Sequence, residues 1–308
     1  MSFGEQFLQY PDLFPARGSG EPWDDRSLLI DFIGGPYRFS GLCGTQVKAI
    51  QKRFGERCRI DDNIEPAVAT AVYRVPEDEF RTFDTRGWEM QIDFDYQPNV
   101  IRMAGLRFMA RITLAPAIQA AFWTPDDADI LTNGAFENLF RITVAYRIVD
   151  LGGVLLHSAG LADETGAWLF IGRSNAGKTT LSRLSLEAGL TVLSDDMNAV
   201  FPNGAGAGFV TEQLPFAGDL GQTLGSGRRY PVRAIYHLEK GDHNTIAPVT
   251  DHDRLAKLMV CAPFINTNPH VYSTLLGNLD TIRRAVPGAK LTFRLEGGFE
   301  RLLEDSKS

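Results

Sequence analysis

The stretch that most restricts what this chain can become is AWLFIGRSNAGKTTLSRLSLEAGL, residues 167–190. Five apolar residues read as a buried strand. A loop with the pattern Gly172-x4-Gly177-Lys178-Thr179 follows, and then a helix closed by Gly189. Strand, glycine loop and helix in that order form a phosphate-binding loop. The glycines let the backbone turn tightly and present successive N–H groups to phosphate oxygens. The helix that starts near Lys178 points its positive end at the same anion. The candidate nucleotide-binding residues are therefore Gly172, Arg173, Ser174, Asn175, Ala176, Gly177, Lys178, Thr179 and Thr180. Lys178 suits β- and γ-phosphates as a point charge, and the Thr179 hydroxyl suits a Mg²⁺ ion.

One helix and one turn later, TVLSDDMNAV reads as a strand ending in Asp195 and Asp196. An acid at the end of a neighbouring strand holds Mg²⁺ in phosphate-loop proteins. Two adjacent acids divide the work if strand geometry persists, because their side chains then point opposite ways. One then faces the metal and the other an acceptor hydroxyl whose proton must be removed; a polar strand end with one acid solvated is the alternative. His157, in VLLHSAGL, stands fifteen residues before Gly172. If the two intervening strands pair as a hairpin, His157 returns to the loop end of the sheet; a core histidine is the plainer alternative. Arg228 and Arg229, in the Gly-rich TLGSGRRYP, are candidates for neutralising a transferring phosphoryl group, with an exposed basic loop as the competing reading. The segment Phe216–Tyr230 reads as a mobile loop able to close on substrate.

Composition narrows the setting. The chain has 308 residues, 44% hydrophobic and 22% charged, which is ample for a buried core. A net charge of −7 argues against nucleic acid as a partner. No apolar run reaches about 18 residues, so no membrane span is expected. The opening MSFGEQFLQYPDLF lacks the basic start and apolar middle of a secretory signal, which predicts a cytoplasmic chain. Cys43, Cys58 and Cys261 are widely spaced and odd in number, so neither a disulfide framework nor structural zinc is expected.

Periodicity predicts three regions: an irregular arm over residues 1–25, a mixed, β-rich domain over 26–150, and an α/β catalytic domain over 151–308. In the first domain the expected elements are strands at 27–33, 67–75 and 88–96, one or two strands within 100–114, and a helix within 44–55. A helix over 134–152 carries Phe136, Leu139, Phe140, Thr143 and Val144 on one side. In the second domain, GVLLHSAGLA and GAWLFIG read as adjacent strands across the turn DETG. Further expected strands are LTVLSDD, VRAIYHLEK and AKLTFRLE. DRLAKLMVCAPF and NPHVYSTLLGNLDTIRRAV read as helices, the second with Pro269 just inside its start.

The order LLHSAGL…GAWLFIGRSNAGKTTLSRLSLEAGLTVLSDD resembles the catalytic domain of the bacterial HPr serine kinase/phosphorylase family. The likeness is dense over residues 155–200. Downstream, LPFAG, YPVRAIYHLEKG, IAPVT and AVPGAKLTFRLE look more like HPr-kinase-related proteins of unassigned substrate. Phosphoenolpyruvate carboxykinases share the architecture more remotely, and the first 115 residues carry no resemblance. The resemblance implies an α/β fold, a P-loop kinase domain of the HPr kinase/phosphoenolpyruvate carboxykinase type, preceded by the β-rich domain. It implies ATP held by Lys178 and the loop amides, and Mg²⁺ held by Thr179 and Asp196. It makes Asp195 the base, with His157 beside it. Family members tend to assemble, which implies a homo-oligomer. Asn175 stands where the family commonly has glycine, and Thr179 where it has serine; both changes are mild. The Arg-Gly-Leu-Gly signature of true HPr kinases is missing, with TEQLPFAGDL in its place. That argues against HPr itself as the acceptor.

The expected activity is ATP-dependent transfer of the γ-phosphate to a hydroxyl of a protein, a peptide or a small molecule. Two alternatives stay open: a nucleotide-hydrolysing switch, and a nucleotide-binding scaffold acting through a partner protein. A switch favours a single acid followed by sensor elements. A scaffold predicts erosion of Lys178, Thr179 or Asp195, and all three are present.

Overall fold

The computed structural model describes residues 20–61, 63–80, 92–125, 127, 134–204, 208–216, 218, 220, 227–295 and 297–299, with Phe7, Gln9 and Leu303. It divides into two compact units, Met1–Arg147 and Ile148–Ser308.

The first unit is built on one mixed sheet. Its main strands are β1 (Arg26–Ile30), β2 (Tyr37–Leu42), β3 (Val68–Arg74), β4 (Asp93–Gln97), β5 (Val100–Gly105), β6 (Phe108–Thr113) and β7 (Ile118–Thr124). They lie in the order β1-β2-β3-β7-β6-β5-β4, with the two-residue strands Cys58–Arg59 and Glu21–Pro22 added on β1 and β3. Helix α1 (Gly44–Phe54) carries the chain from β2 to β3, which run parallel. VIRMAGLRFMARITL resolves into two strands, the hairpin β5–β6. β7 was not expected, because AIQAAFWT alternates weakly. Of the strand expected at 88–96, residues 88–91 lie outside the described set, and the pairing begins at Asp93.

Each sheet face has its own cover. On one face, residues of α2 (Ala135–Asp150) meet β2 and α1 in an aromatic cluster. The Phe140 ring lies 5.1 Å from Tyr37, 5.6 Å from Phe39 and 5.5 Å from Phe54, mostly edge to face. The five residues assigned to one side of this helix are fully buried, but so are Ala135, Ile142, Ala145 and Ile148. The helix is a core element rather than a one-sided surface helix. On the other face, Phe7 packs with Phe80, Met109 and Trp123.

The second unit contains strands β8 (Val154–Ala162), β9 (Ala167–Ile171), β10 (Thr191–Ser194), β11 (Met197–Pro202), β12 (Phe209–Glu212), β13 (Arg229–Lys240), β14 (Thr245–Ala247) and β15 (Gly288–Phe293). Pairing runs β9-β8-β11-β12-β13, and β13 pairs back with β9, so five strands close into a ring. β10 pairs with β8, while β15 and β14 extend the sheet from β13. The sequence reading missed β11 and β12, whose apolar runs are short and lie on either side of Gly-rich chain. Helix α3 (Lys178–Glu187) follows β9, and α4 (Asp251–Val260) and α5 (Tyr272–Ala285) precede β15. Pro269 lies before α5 rather than in its first turn: the helix begins at Tyr272. Among the described residues, no helix is long and apolar enough to cross a membrane.

All three cysteines are free thiols. Burial pushes the Cys58 thiol up to about 12. Its thiolate fraction at pH 8 should be about a thousandfold below that of an ordinary thiol. Iodoacetamide should therefore label Cys58 far more slowly in the native protein than in urea, as read by peptide mass mapping. Truncating Phe140 to alanine should cost about 3–5 kcal/mol in urea titration. The exposed hairpin variant Leu106→Ala should stay within about 0.5 kcal/mol of the parent.

Candidate functional site

Backbone pairing brings the site together. β8 and β9 are antiparallel with Ser158 opposite Ile171, which sets His157 level with Gly172, the first residue of the loop. β10 runs against β8 with Ser194 opposite Gly160, and the Ser158 N–H donates to the Asp196 carbonyl at 2.9 Å. β13 lies parallel to β9 with His237 opposite Ile171, so its last residue, Lys240, reaches past the end of β9 into the loop.

The loop is held in a special backbone conformation. Asn175 has φ 64° and Gly177 φ 100°, the left-handed region that Asn and Gly tolerate. A Cβ at Gly177 would also meet Phe293 Cζ at 2.7 Å. The Ala176 N–H donates to the Arg173 carbonyl at 3.1 Å, which closes the turn. Helix α3 starts at Lys178, with no side-chain cap and no acid in its first turn. Its N-terminal amides therefore present uncompensated positive charge to the loop. Behind the loop, Leu181 packs with Trp168, Phe170, Leu238 and Phe293 and fixes the helix against the sheet.

Lys178 is 7% exposed. Its ammonium donates to the Gly172 and Arg173 carbonyls at 3.1 and 3.2 Å. Burial pulls its pKa below the ordinary lysine value, while Cys261, Asp196 and Asp195 oppose that shift. Cys261 is also a structural tie: its carbonyl accepts the His157 N–H at 2.8 Å.

A cavity of about 560 Å³ opens over this arrangement. Its walls include Ser174, Asn175, Gly177, Lys178, Thr179 and Thr180 from the loop and helix, and His157, Asp195 and Asp196 from the strands. The residues picked from sequence for phosphate and metal thus converge on one space. Gly172, Arg173 and Ala176 are not in its wall; they frame the loop and anchor Lys178.

Two expectations change. The strand ends at Ser194, and Asp195 and Asp196 sit in the bend after it, so both acids face the same cavity instead of opposite ways. The Ser194 hydroxyl shapes this bend by accepting the N–H groups of Asp196 and Met197, each at 3.1 Å. His157 stands beside Asp196, with Nε2 3.5 Å from Oδ1. Arg229 is not brought to the cavity. It pairs with Glu212 at 3.5 Å and lies over the Phe201 ring. It is eight residues before His237 on β13, about 26 Å along an extended strand from the loop end. Arg228 lies over the Tyr230 ring. Of the expected mobile loop Phe216–Tyr230, residues 217, 219 and 221–226 lie outside the described set.

Two wall residues were missed: Lys240 and Gly218. Lys240 could have been found as a cation ending a strand parallel to β9. Gly218 carries no motif. A Cβ there would overlap Asp195 Oδ1 and come within 3.2 Å of Asp196 Cβ, so the backbone at 218 lies directly on the acid pair.

The donor set fits Mg²⁺. Thr179 and Asp196 offer hard oxygen atoms to one cavity. Among the described residues no group of three His, Cys, Asp or Glu side chains could hold a metal by itself. Mg²⁺ held there would take its remaining ligands from water or a bound anion, as it prefers.

No protein-family model matches this sequence, and no curated protein matches it.

Gly218→Ala should destabilise the protein by about 1–3 kcal/mol in urea titration, because the added methyl must displace Asp195. Gly277→Ala, in helix α5 with no atom within 4 Å of the new methyl, should stabilise it by about 0.5–1 kcal/mol.

Proposed function

We propose that the protein is a cytoplasmic, Mg²⁺-dependent kinase of the HPr-kinase-like type that moves the γ-phosphate of ATP to an acceptor hydroxyl. One observation carries the reading: a phosphate loop with its lysine and threonine shares a single cavity with a pair of carboxylates and a histidine. A hydrolytic switch needs one acid there; the second is explained by an acceptor whose proton must leave.

The residues divide as follows. The loop amides, the N-terminus of α3 and Lys178 hold the phosphates. For that, Lys178 exchanges the Gly172 and Arg173 carbonyls for phosphate oxygens. Thr179 and Asp196 would hold Mg²⁺, which supplies charge neutralisation on the phosphates. His157 positions the Asp196 carboxylate, since a ligating carboxylate is steadied by a neighbouring donor. Asp195 accepts the proton of the acceptor hydroxyl. The oxygen of that hydroxyl bonds to the γ-phosphorus, the β–γ bridging bond breaks, and ADP leaves.

A γ-labelled ATP transfer assay against cell extract tests this. Asp195→Asn should bind ATP with near-parental affinity and lose about 10²–10⁴-fold in transfer. Lys178→Ala should weaken ATP binding. Labelling by Asp195→Asn at the parental rate would remove the base assignment. ATP hydrolysis that no acceptor diverts would replace the kinase by a switch.

A further inference from the structure

Lys240 lines the cavity together with Lys178. It ends β13, three residues past His237, which is opposite the last residue of β9. That extra length carries it about 10 Å further, to where β9 has already become the phosphate loop. Its stem crosses the loop: Cε lies 3.0 Å from where a Cβ on Gly177 would stand. Alternation along β13 puts Glu239 on the opposite face, where it pairs with Lys290 at 3.3 Å. Among the described residues no carboxylate takes the Lys240 ammonium, whereas Lys178 is held by two loop carbonyls. Arg229, the sequence candidate for a charge at the transferring phosphate, is bound elsewhere.

We infer that Lys240 is a second phosphate-contacting residue, which holds the terminal phosphoryl group of the bound triphosphate. This rests on the kinase reading above. The chain then supplies the cation for the transferring group from its own strand, where it neutralises charge building on the equatorial oxygens. Lys178 and the loop amides also hold the β-phosphate, which ATP and ADP share.

Calorimetric titration with Mg²⁺–ATP and with Mg²⁺–ADP separates these roles. Lys240→Met keeps the stem over Gly177 and removes the charge. It should bind ATP about tenfold to a hundredfold more weakly and ADP within about twofold of the parent. Lys240→Arg should restore most of the ATP affinity. Lys178→Met should weaken both nucleotides. Unchanged ATP affinity in Lys240→Met, or equal losses for ATP and ADP, overturns the assignment and leaves the kinase reading standing, provided that Lys178→Met still weakens both. A parent protein that binds neither nucleotide overturns both.

Discussion

Strand β8 is hydrogen-bonded to β9 along one edge and to β10 along the other, and its register decides what meets at the glycine-containing loop after β9. The pairing of Ser158 with Ile171 places His157 beside the loop. The bond from Ser158 N–H to the Asp196 carbonyl brings the acid pair to the same level. A slip of one residue would turn His157 into the ring interior and send a leucine or serine to the cavity. Asn198 guards this register from below: its amide donates to the Ser158 carbonyl at 2.7 Å and to the Ser158 hydroxyl at 3.1 Å. A polar side chain fully buried among these strands has partners only at one alignment.

The hydrophobic core behind the loop gives the polar site its rigidity. Trp168 and Phe170 on β9, Leu181 on α3, Leu238 on β13 and Phe293 on β15 belong to one cluster. Every strand and helix that delivers a side chain to the loop therefore shares packing with the others. Closing the ring through β13 and β9 removes the free edge that β9 would otherwise expose. Charges of both signs can then be held close together, because their positions are set by packing rather than by their mutual attraction.

The parts of this arrangement legible in the sequence are those governed by local rules. Loop glycines, the lysine at a helix start and acids after an apolar run follow from backbone conformation and periodicity over a few residues. The hairpin from β8 to β9 was readable because DETG separates two short, mostly apolar runs. What escaped reading depends on long-range pairing. Lys240 is far from the loop in sequence and reaches it only because β13 lies parallel to β9. Gly218 matters only because the chain there crosses Asp195. Arg229 looked functional for its glycine-rich surroundings, yet Glu212 and Phe201 claim it from strands whose pairing no local pattern announces. The acids were expected to diverge as strand residues, but the strand ends at Ser194, two residues too early for that, in a bend that the Ser194 hydroxyl shapes.

The resting place of the Lys178 ammonium, on two carbonyls of its own loop, sets a threshold for what can be captured. Under the proposed function, an incoming anion would have to draw the ammonium off both carbonyls to bond with it directly. A lone orthophosphate would reach few of the surrounding donors and recover little beyond that exchange. A chain of linked phosphates would meet the loop amides and the helix end as well, and would gain more from the exchange. The self-occupied lysine would in that case favour linked phosphates over simple ones, ahead of any contact with the rest of the ligand.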